Sequence, residues 1–453
     1  MEENQKYDLT EGPIAKKLLM FFLPIAVGTL FQQLYNTVDA IVVGKFVGTE
    51  ALAAVGGSAS QIVSLFIGFF VALTSGAGAI IAQLFGAKRQ DMISTAVATS
   101  ISFCFWIGIA LTIVGIPLTP YILFWMDTPP DTMADSILYL RIYFSGTIFV
   151  LLFNMGSSVL RSVGDSKRPL IYLIVSCVGN IILDILFVVG FHMGVDGVAL
   201  ATVISQAVST VMILVHLCRT KEIYRVEFRQ IHIHKPTMMR MLRIGVPAGI
   251  QATLYNFANL IVQVAVNSLG TVVVAAWTMS GKIDGIYWAI SGALGTAVMS
   301  FVGQNFGAGK MDRIHKSFKI SMGVFLGLTV LISGGLLLVG RYCLGYFIDD
   351  PAVIARTWEI LTFFVPFYVV WTFIEIISGL LRGVGDAVIP VIIVAVGICG
   401  IRLLWVKFVF AYFPTLMGVS LCYPVSWFVT AVALTIYYIK GNWRKLTPPD
   451  VAK

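Results

Sequence analysis

What the chain has little of narrows it first. Only 12% of its 453 residues are charged, about half of the roughly 25% that a soluble globular chain carries. A soluble core is excluded, because 58% of the residues are hydrophobic and the mean hydropathy is +0.89. There is no HExxH, no GxSxG and no Walker A lysine, so a membrane-embedded hydrolase and an ATP-driven pump both lack their chemistry. The expected chain is not an enzyme and needs no cofactor. Six cysteines, at 104, 177, 218, 343, 399 and 422, stand singly without a CxxC, which signals neither a zinc knuckle nor a redox pair. They read as small apolar packing residues.

What is abundant is long apolar sequence. A membrane-spanning helix needs about 20 mostly apolar residues, and stretches such as Ile93 to Ile116, Pro169 to Gly190 and Val195 to Leu217 meet that length. Twelve spans are expected, beginning near residues 17, 53, 93, 135, 169, 196, 243, 273, 317, 356, 387 and 417. The fold class is therefore an all-α polytopic membrane protein. The polar start MEENQKYDLTEGPIAKK precedes a stretch too long for a signal-peptide core and without a small-residue cleavage pattern, so no segment is expected to be removed.

A net charge of +8 raises the question of nucleic acid, and the distribution of Lys and Arg answers it. With both ends cytoplasmic, the termini, the loops after even-numbered spans and their flanks hold 24 of the 31 Lys and Arg residues. Among them are Lys88, Arg89, Lys167, Arg168, Arg219, Lys221, Arg225, Arg229, Lys310, Arg313, Arg444 and Lys445. The other seven are Lys45, Arg141, Lys282, Arg341, Arg356, Arg402 and Lys407. This bias predicts a multi-pass protein of the cytoplasmic membrane with both termini inside and the bilayer, not nucleic acid, as its surroundings.

The chain also repeats itself. QLFGAKRQD (Gln83 to Asp91) returns as QNFGAGKMD (Gln304 to Asp312), and LRSVGD (Leu160 to Asp165) as LRGVGD (Leu381 to Asp386), each at an offset of 221. GTEALAA at Gly48 matches GTVVVAA at Gly270 with an offset of 222, and Pro24 matches Pro247 at 223. Collinear matches of this kind mark two copies of one unit. Six spans per unit, an even number, bring the second copy into the membrane in the same orientation, so the repeat is parallel and its interface is the expected substrate path.

The predicted lobes are 1–217 and 243–453. The connector is 218–242, and the stretch from Cys218 to Arg243 holds seven Lys and Arg residues. Its His232-Ile233-His234 reads as solvated loop, since two His residues do not complete a tetrahedral metal site. In the repeated motifs, Gly86, Gly164, Gly307 and Gly385 are expected to allow tight turns, and Asp165 and Asp386 to cap the following helix.

The twin QxFGAxxxD loops, the twin LRxVGD turns and the Pro-containing first and seventh spans resemble those of the multidrug and toxic compound extrusion (MATE) family, over essentially the whole chain. The resemblance implies a V-shaped, two-lobed transporter that exports small, mostly cationic organic compounds in exchange for H⁺ or Na⁺. A monomer is expected.

Ionisable side chains inside spans cost about 2.5–3.5 kcal/mol on insertion scales and are functional candidates by default. Four acids qualify: Asp39, Asp184, Asp284 and Glu375. Gln32, Asn36 and Asp39 share one helix face, as do Ser176, Asn180 and Asp184. The resemblance implies that Asp39, Asn180 and Asp184, with Asn36 beside them, hold the coupling cation, including Na⁺. In the second half Ile261 or Val262 takes the place of Asp39, and Trp405 that of Asp184, so one lobe alone is expected to do this chemistry. Pro24 and Pro247 are expected hinges, because each removes a hydrogen bond from a helix interior.

In the second half, Gln251, Tyr255, Asn259 and Gln263 recur every four residues, with Asn256 beside them. This stripe is expected to line a substrate cavity together with Gln32, Asp284, Tyr287, Trp371 and Glu375; Trp288 stands one turn after Asp284. An acid beside an aromatic face suits a large organic cation. In the alternative reading these side chains pack between helices, with Arg141, Lys282 or Arg402 neutralising Asp284 or Glu375. Two rival functions are a flippase for lipid-linked oligosaccharides, which calls for an Arg/Lys cluster inside the cavity, and a channel, which fits a repeated bundle with buried acids and hinge prolines less well.

Overall fold

Apolar sequence of this length has one way to satisfy its backbone in hydrocarbon, which is to close every hydrogen bond within a helix. The computed structural model describes residues 8–226, 232–347 and 350–448, and regular structure among them is helical throughout. Arg229 and the Cys343 side chain lie outside the described residues.

The first six helices are α1 (Ile14–Val47), α2 (Thr49–Gly86), α3 (Gln90–Trp125), α4 (Pro130–Ser145 continued by Thr147–Ser162 across a 48° bend), α5 (Lys167–Gly190) and α6 (Val195–Arg219). The second six are α7 (Lys235–Asn267), α8 (Thr271–Gly307), α9 (Met311–Phe347), α10 (Pro351–Val384), α11 (Val388–Phe410) and α12 (Leu416–Lys445). Ten of these are long and apolar enough to cross a bilayer, and the bent α4 makes an eleventh. The 33-residue α7 matches them in length, and its amides Gln251, Asn256, Asn259 and Gln263 make it more polar. Each helix begins within about eight residues of its predicted start. Large apolar side chains stand on the outer faces, with Trp125 81% and Leu338 76% exposed, a surface for lipid rather than water. The protein is a multi-pass membrane protein.

Contacts group Leu23–Gly249 into one compact unit, and Leu9–Phe22 with the described residues from Ile250 onward into a second. The boundaries thus fall inside α1 and α7 rather than at residues 217 and 243. The reason lies in the second copy of the loop motif. The Leu9 backbone N donates to Gln304 Oε1 (2.9 Å), Asn305 Nδ2 to Leu9 O (3.3 Å) and Lys310 Nζ to Thr10 O (3.0 Å), which ties the N-terminal segment to the second unit. In the connector His232 and Ile233 are exposed, as a solvated loop requires, while Tyr224, Val226 and Met241 are buried in the apolar core of the first unit.

The repeat is written in the backbone as well as in the sequence. Positive φ occurs at Lys88 (58°) and Gly309 (69°), and at Gly164 (94°) and Gly385 (93°), so each motif turns the chain alike in both halves. The tight turn of the first motif therefore falls two residues after Gly86 and Gly307, which end their helices instead. Asp165 caps as expected, its Oδ1 accepting from the Lys167 and Arg168 backbone N at 3.1 Å. Asp386 does something else: its Oδ2 accepts from Tyr437 Oη at 2.6 Å.

Helix packing repeats too. In the first unit Ser158 and Ser162 on α4 donate to the carbonyls of Thr74 and Gly78 on α2 (3.1 and 2.8 Å). At the corresponding places of the second unit, a Cβ on Gly379 or Gly383 of α10 would lie 2.8 Å from the carbonyl of Gly295 or Met299 on α8. Small residues let both helix pairs approach closely.

Candidate cation and substrate site

The N-terminal half of the first unit's polar stripes converges. Gln32, Tyr35, Asn36 and Asp39 recur along one face of α1 and line a cavity of about 540 Å³ within the first unit, together with Pro24, Tyr139, Asn154, Arg161 and Thr202. Asp184 is fully buried on α5, and its carboxyl lies within hydrogen-bonding reach of that of Asp39. With its amide oriented so that both ends are satisfied, Asn180 Nδ2 donates to Asp184 Oδ2 (3.0 Å) and its oxygen accepts from the Thr202 backbone N (3.3 Å). Tyr35 Oη is 3.3 Å from Thr202 Oγ1, which links α1 to α6 behind the acids.

Asp39 Oδ1 and Asp184 Oδ1 are buried and receive no hydrogen bond from any described residue. Two carboxyls this close cannot both carry charge cheaply, because burial disfavours each anion and each anion disfavours the other. A proton shared between them, or a hard cation held by their free oxygens with the amide beside them, resolves both costs. Asp184 is also the last α-helical residue before a π-helical turn, Ile185–Gly190. A similar turn, Trp405–Phe410, occupies the matching stretch of the second half, with Trp405 where Asp184 stands in the first. The widened turn is thus a property of the repeated unit, and the carboxyl is particular to one copy.

The sequence missed several residues of this site. Tyr35 continues the Gln32, Asn36, Asp39 periodicity and was legible from it. Tyr139 and Tyr143, stacked with ring centroids 6.1 Å apart, come from α4, and Thr202 from α6; no spacing links these to α1. Pro24 and Pro247 lie inside continuous helices, and Pro24 faces the cavity.

In the second unit the candidate residues engage one another. Tyr368 Oη donates to Asp284 Oδ1, and the Tyr287 and Tyr368 rings stack at 4.0 Å. Trp371 Nε1 donates to Ser291 Oγ (3.1 Å), and its ring lies 4.9 Å from Trp288 and 5.8 Å from Trp427. Asp284, Tyr287 and Trp371 are buried in this aromatic cluster. Gln251 Nε2 donates to Tyr255 Oη (3.2 Å), and Tyr255 packs against Trp371. Gln263 Nε2 donates to Asn267 Oδ1 (2.8 Å).

The expected counterions differ. Arg402 donates to Asn259 Oδ1 (2.7 Å) and lies 3.9 Å over the Tyr423 ring. Glu375 pairs instead with Arg382 of the LRGVGD motif, at 3.5 Å. The two residues are seven apart on one helix, two turns, which a search for nearby charges on other spans overlooks.

The MatE family profile matches residues 24–186 and 247–406, one stretch in each half. The chain is 29% identical over 444 residues to the Bacillus subtilis protein named "Probable multidrug resistance protein YoeA", covering 95% of this chain and 94% of that one. It is 24% identical over 387 residues to the "Multidrug export protein MepA" of Staphylococcus aureus, covering 85% and 82%. A solved structure described as an outward-facing conformation of a multidrug resistance MATE family transporter matches with a TM-score of 0.88 and 21% identity over 97% of each chain, a likeness of fold. The profile spans more than half of the sequence and falls on the two repeated units, and the chain therefore belongs to the MatE family.

Proposed function

We propose that the protein is a secondary-active antiporter that exports small, mostly cationic organic compounds in exchange for H⁺ or Na⁺. The observation that carries this reading is a pair of carboxyls, Asp39 at the wall of the first unit's cavity and the fully buried Asp184 within hydrogen-bonding reach of it, each with an unpartnered buried oxygen. Such a pair takes up one cation and releases it again at modest cost, which is what an exchanger requires. Asn180 fixes the Asp184 carboxyl, and Asn36 and Gln32 offer neutral polar contacts in the same cavity.

The coupling follows from elementary electrostatics. A cation entering down a potential of 100 mV releases about 2.3 kcal/mol. Delivered to a buried acid pair, that energy biases the lobe between two conformations and lowers its affinity for the exported compound, which is alternating access. In this reading the protein works as a monomer in the cytoplasmic membrane with both termini inside. The names of the relatives, multidrug resistance and multidrug export, support the same direction of transport.

Export of ethidium from cells tests it, with the proton and sodium gradients collapsed separately and Asp39→Asn measured beside the wild type. The expected result is gradient-dependent export that the substitution abolishes while the protein still reaches the membrane. Export that survives Asp39→Asn, or survives loss of both gradients, refutes the exchanger.

A further inference from the structure

We infer that Arg161 forms an oxyanion subsite in the first unit's cavity, and that this cavity takes substrates bearing a carboxylate. The inference rests on the transport reading above and names a substrate class that reading leaves open.

It starts from the repeat. Leu152 to Asp165 aligns without gaps on Phe373 to Asp386 at the 221-residue offset, which pairs Arg161 with Arg382 and Asn154 with Glu375. In the second unit the chain supplies the arginine with its own carboxylate, Glu375. In the first unit the equivalent of that acid is a neutral amide, and Asn154 Nδ2 is turned to the Val150 carbonyl at 2.8 Å. Among the described residues no carboxylate pairs with Arg161, and its Nε is buried without an acceptor.

The position of this guanidinium fits a ligand. Asn154, Ser157 and Arg161 follow one another along a single face of α4 and all line the 540 Å³ cavity, beside Ser166 and Pro169 from the start of α5. Of the residues lining that cavity, Arg161 is the one basic side chain and Asp39 the one carboxylic acid. They serve opposite ends of it: Asp184, which meets Asp39, stands 17 residues along α5 from Lys167, roughly 25 Å at the rise of an α-helix. A carboxylate at Arg161 and a coupling cation at the acid pair therefore do not exclude each other. A guanidinium presents a planar fork of donors that matches a carboxylate through two parallel hydrogen bonds. A substrate carboxylate at this place completes from outside the ion pair that the second unit completes from within.

Rhodamine 110 carries a free carboxylate, and rhodamine 123 is its methyl ester, so the two share one fluorophore. Binding of each to the purified full-length protein in lipid nanodiscs is read by fluorescence anisotropy, and the quantity compared is the ratio of the two affinities on the same sample, which cancels differences in folded fraction. The wild type is expected to favour the acid. Arg161→Gln should reduce that preference about tenfold, the worth of a charge-assisted bond pair, with Arg161→Lys intermediate. Asn154→Glu, which rebuilds in the first unit the pair seen in the second, should reduce it as far as Arg161→Gln. Equal affinity for acid and ester in the wild type, an unchanged ratio in the variants, or binding of neither dye overturns the subsite. If gradient-dependent ethidium export persists beside such a result, only the subsite fails; if that export is absent, the transport reading fails on its own test.

Discussion

Asn180 Nδ2 donates to Asp184 Oδ2 across 3.0 Å, one helical turn apart on α5. The amide holds one oxygen of the fully buried carboxyl, while Asp184 Oδ1 has no partner among the described residues. Asn180→Leu keeps the size and removes the bond. A hydrogen bond to a charged group is worth about 1.5–3 kcal/mol, so the coupling-cation concentration giving half-maximal export should rise by roughly 10- to 100-fold. Half-maximal concentrations measured in membrane vesicles check this, and an unchanged value removes Asn180 from the cation site.

Gly245 on α7 crosses Gly76 on α2 so closely that a Cβ added at Gly245 would stand 2.4 Å from the Leu73 carbonyl oxygen. The contact is to backbone, which has no rotamer to yield. Gly245→Val should cost about 1–3 kcal/mol by overpacking, visible as a lower melting temperature of the detergent-solubilised protein. Gly281→Ala is the companion, because nothing lies within 4 Å of that added Cβ. There the helix interior gains about 0.5–1 kcal/mol, and the melting temperature should rise slightly or hold.

Glu375 and Arg382 are 18% and 19% exposed, so removing one charge strands the other inside the unit. Glu375→Gln should destabilise the protein by about 3 kcal/mol, the lower part of the range for a broken buried pair. The double variant Glu375→Gln with Arg382→Met should recover most of that loss, since it leaves no lone charge. Thermal melting of the three proteins decides the matter: a double variant as unstable as the single one contradicts an ion-pair role.

Much of the architecture was legible before any coordinates. Hydrocarbon forces a chain with apolar stretches of this length into helices, and each predicted span has its helix. The 221-residue offset announced two copies of one unit, and the same offset reappears as equal positive φ at Gly164 and Gly385. The stripe of Gln32, Asn36 and Asp39 was legible for the same reason, because residues three and four apart share a helix face. Asp165 as a cap followed from its place just before a helix.

Other features were not legible. The two LRxVGD aspartates have the same sequence surroundings, yet Asp165 caps α5 and Asp386 binds Tyr437, because α12 brings a hydroxyl to one of them. The charges of the connector did not show that Tyr224, Val226 and Met241 turn inward, which they do because the first unit's core offers them apolar contacts.

By itself, then, the sequence determined the helices, their number, the repeat and the faces on which polar groups stand, since all of these follow from local periodicity and from the cost of leaving backbone or charge in hydrocarbon. The tertiary structure alone decided which faces meet. Asp39 and Asp184 are 145 positions apart, and Thr202 and Tyr139 come from two further helices. Only helix packing, governed by side-chain volume across neighbours rather than by spacing along the chain, brings Asp39, Thr202 and Tyr139 to one cavity, sets Asp184 within reach of Asp39, and turns Arg161 into that same cavity.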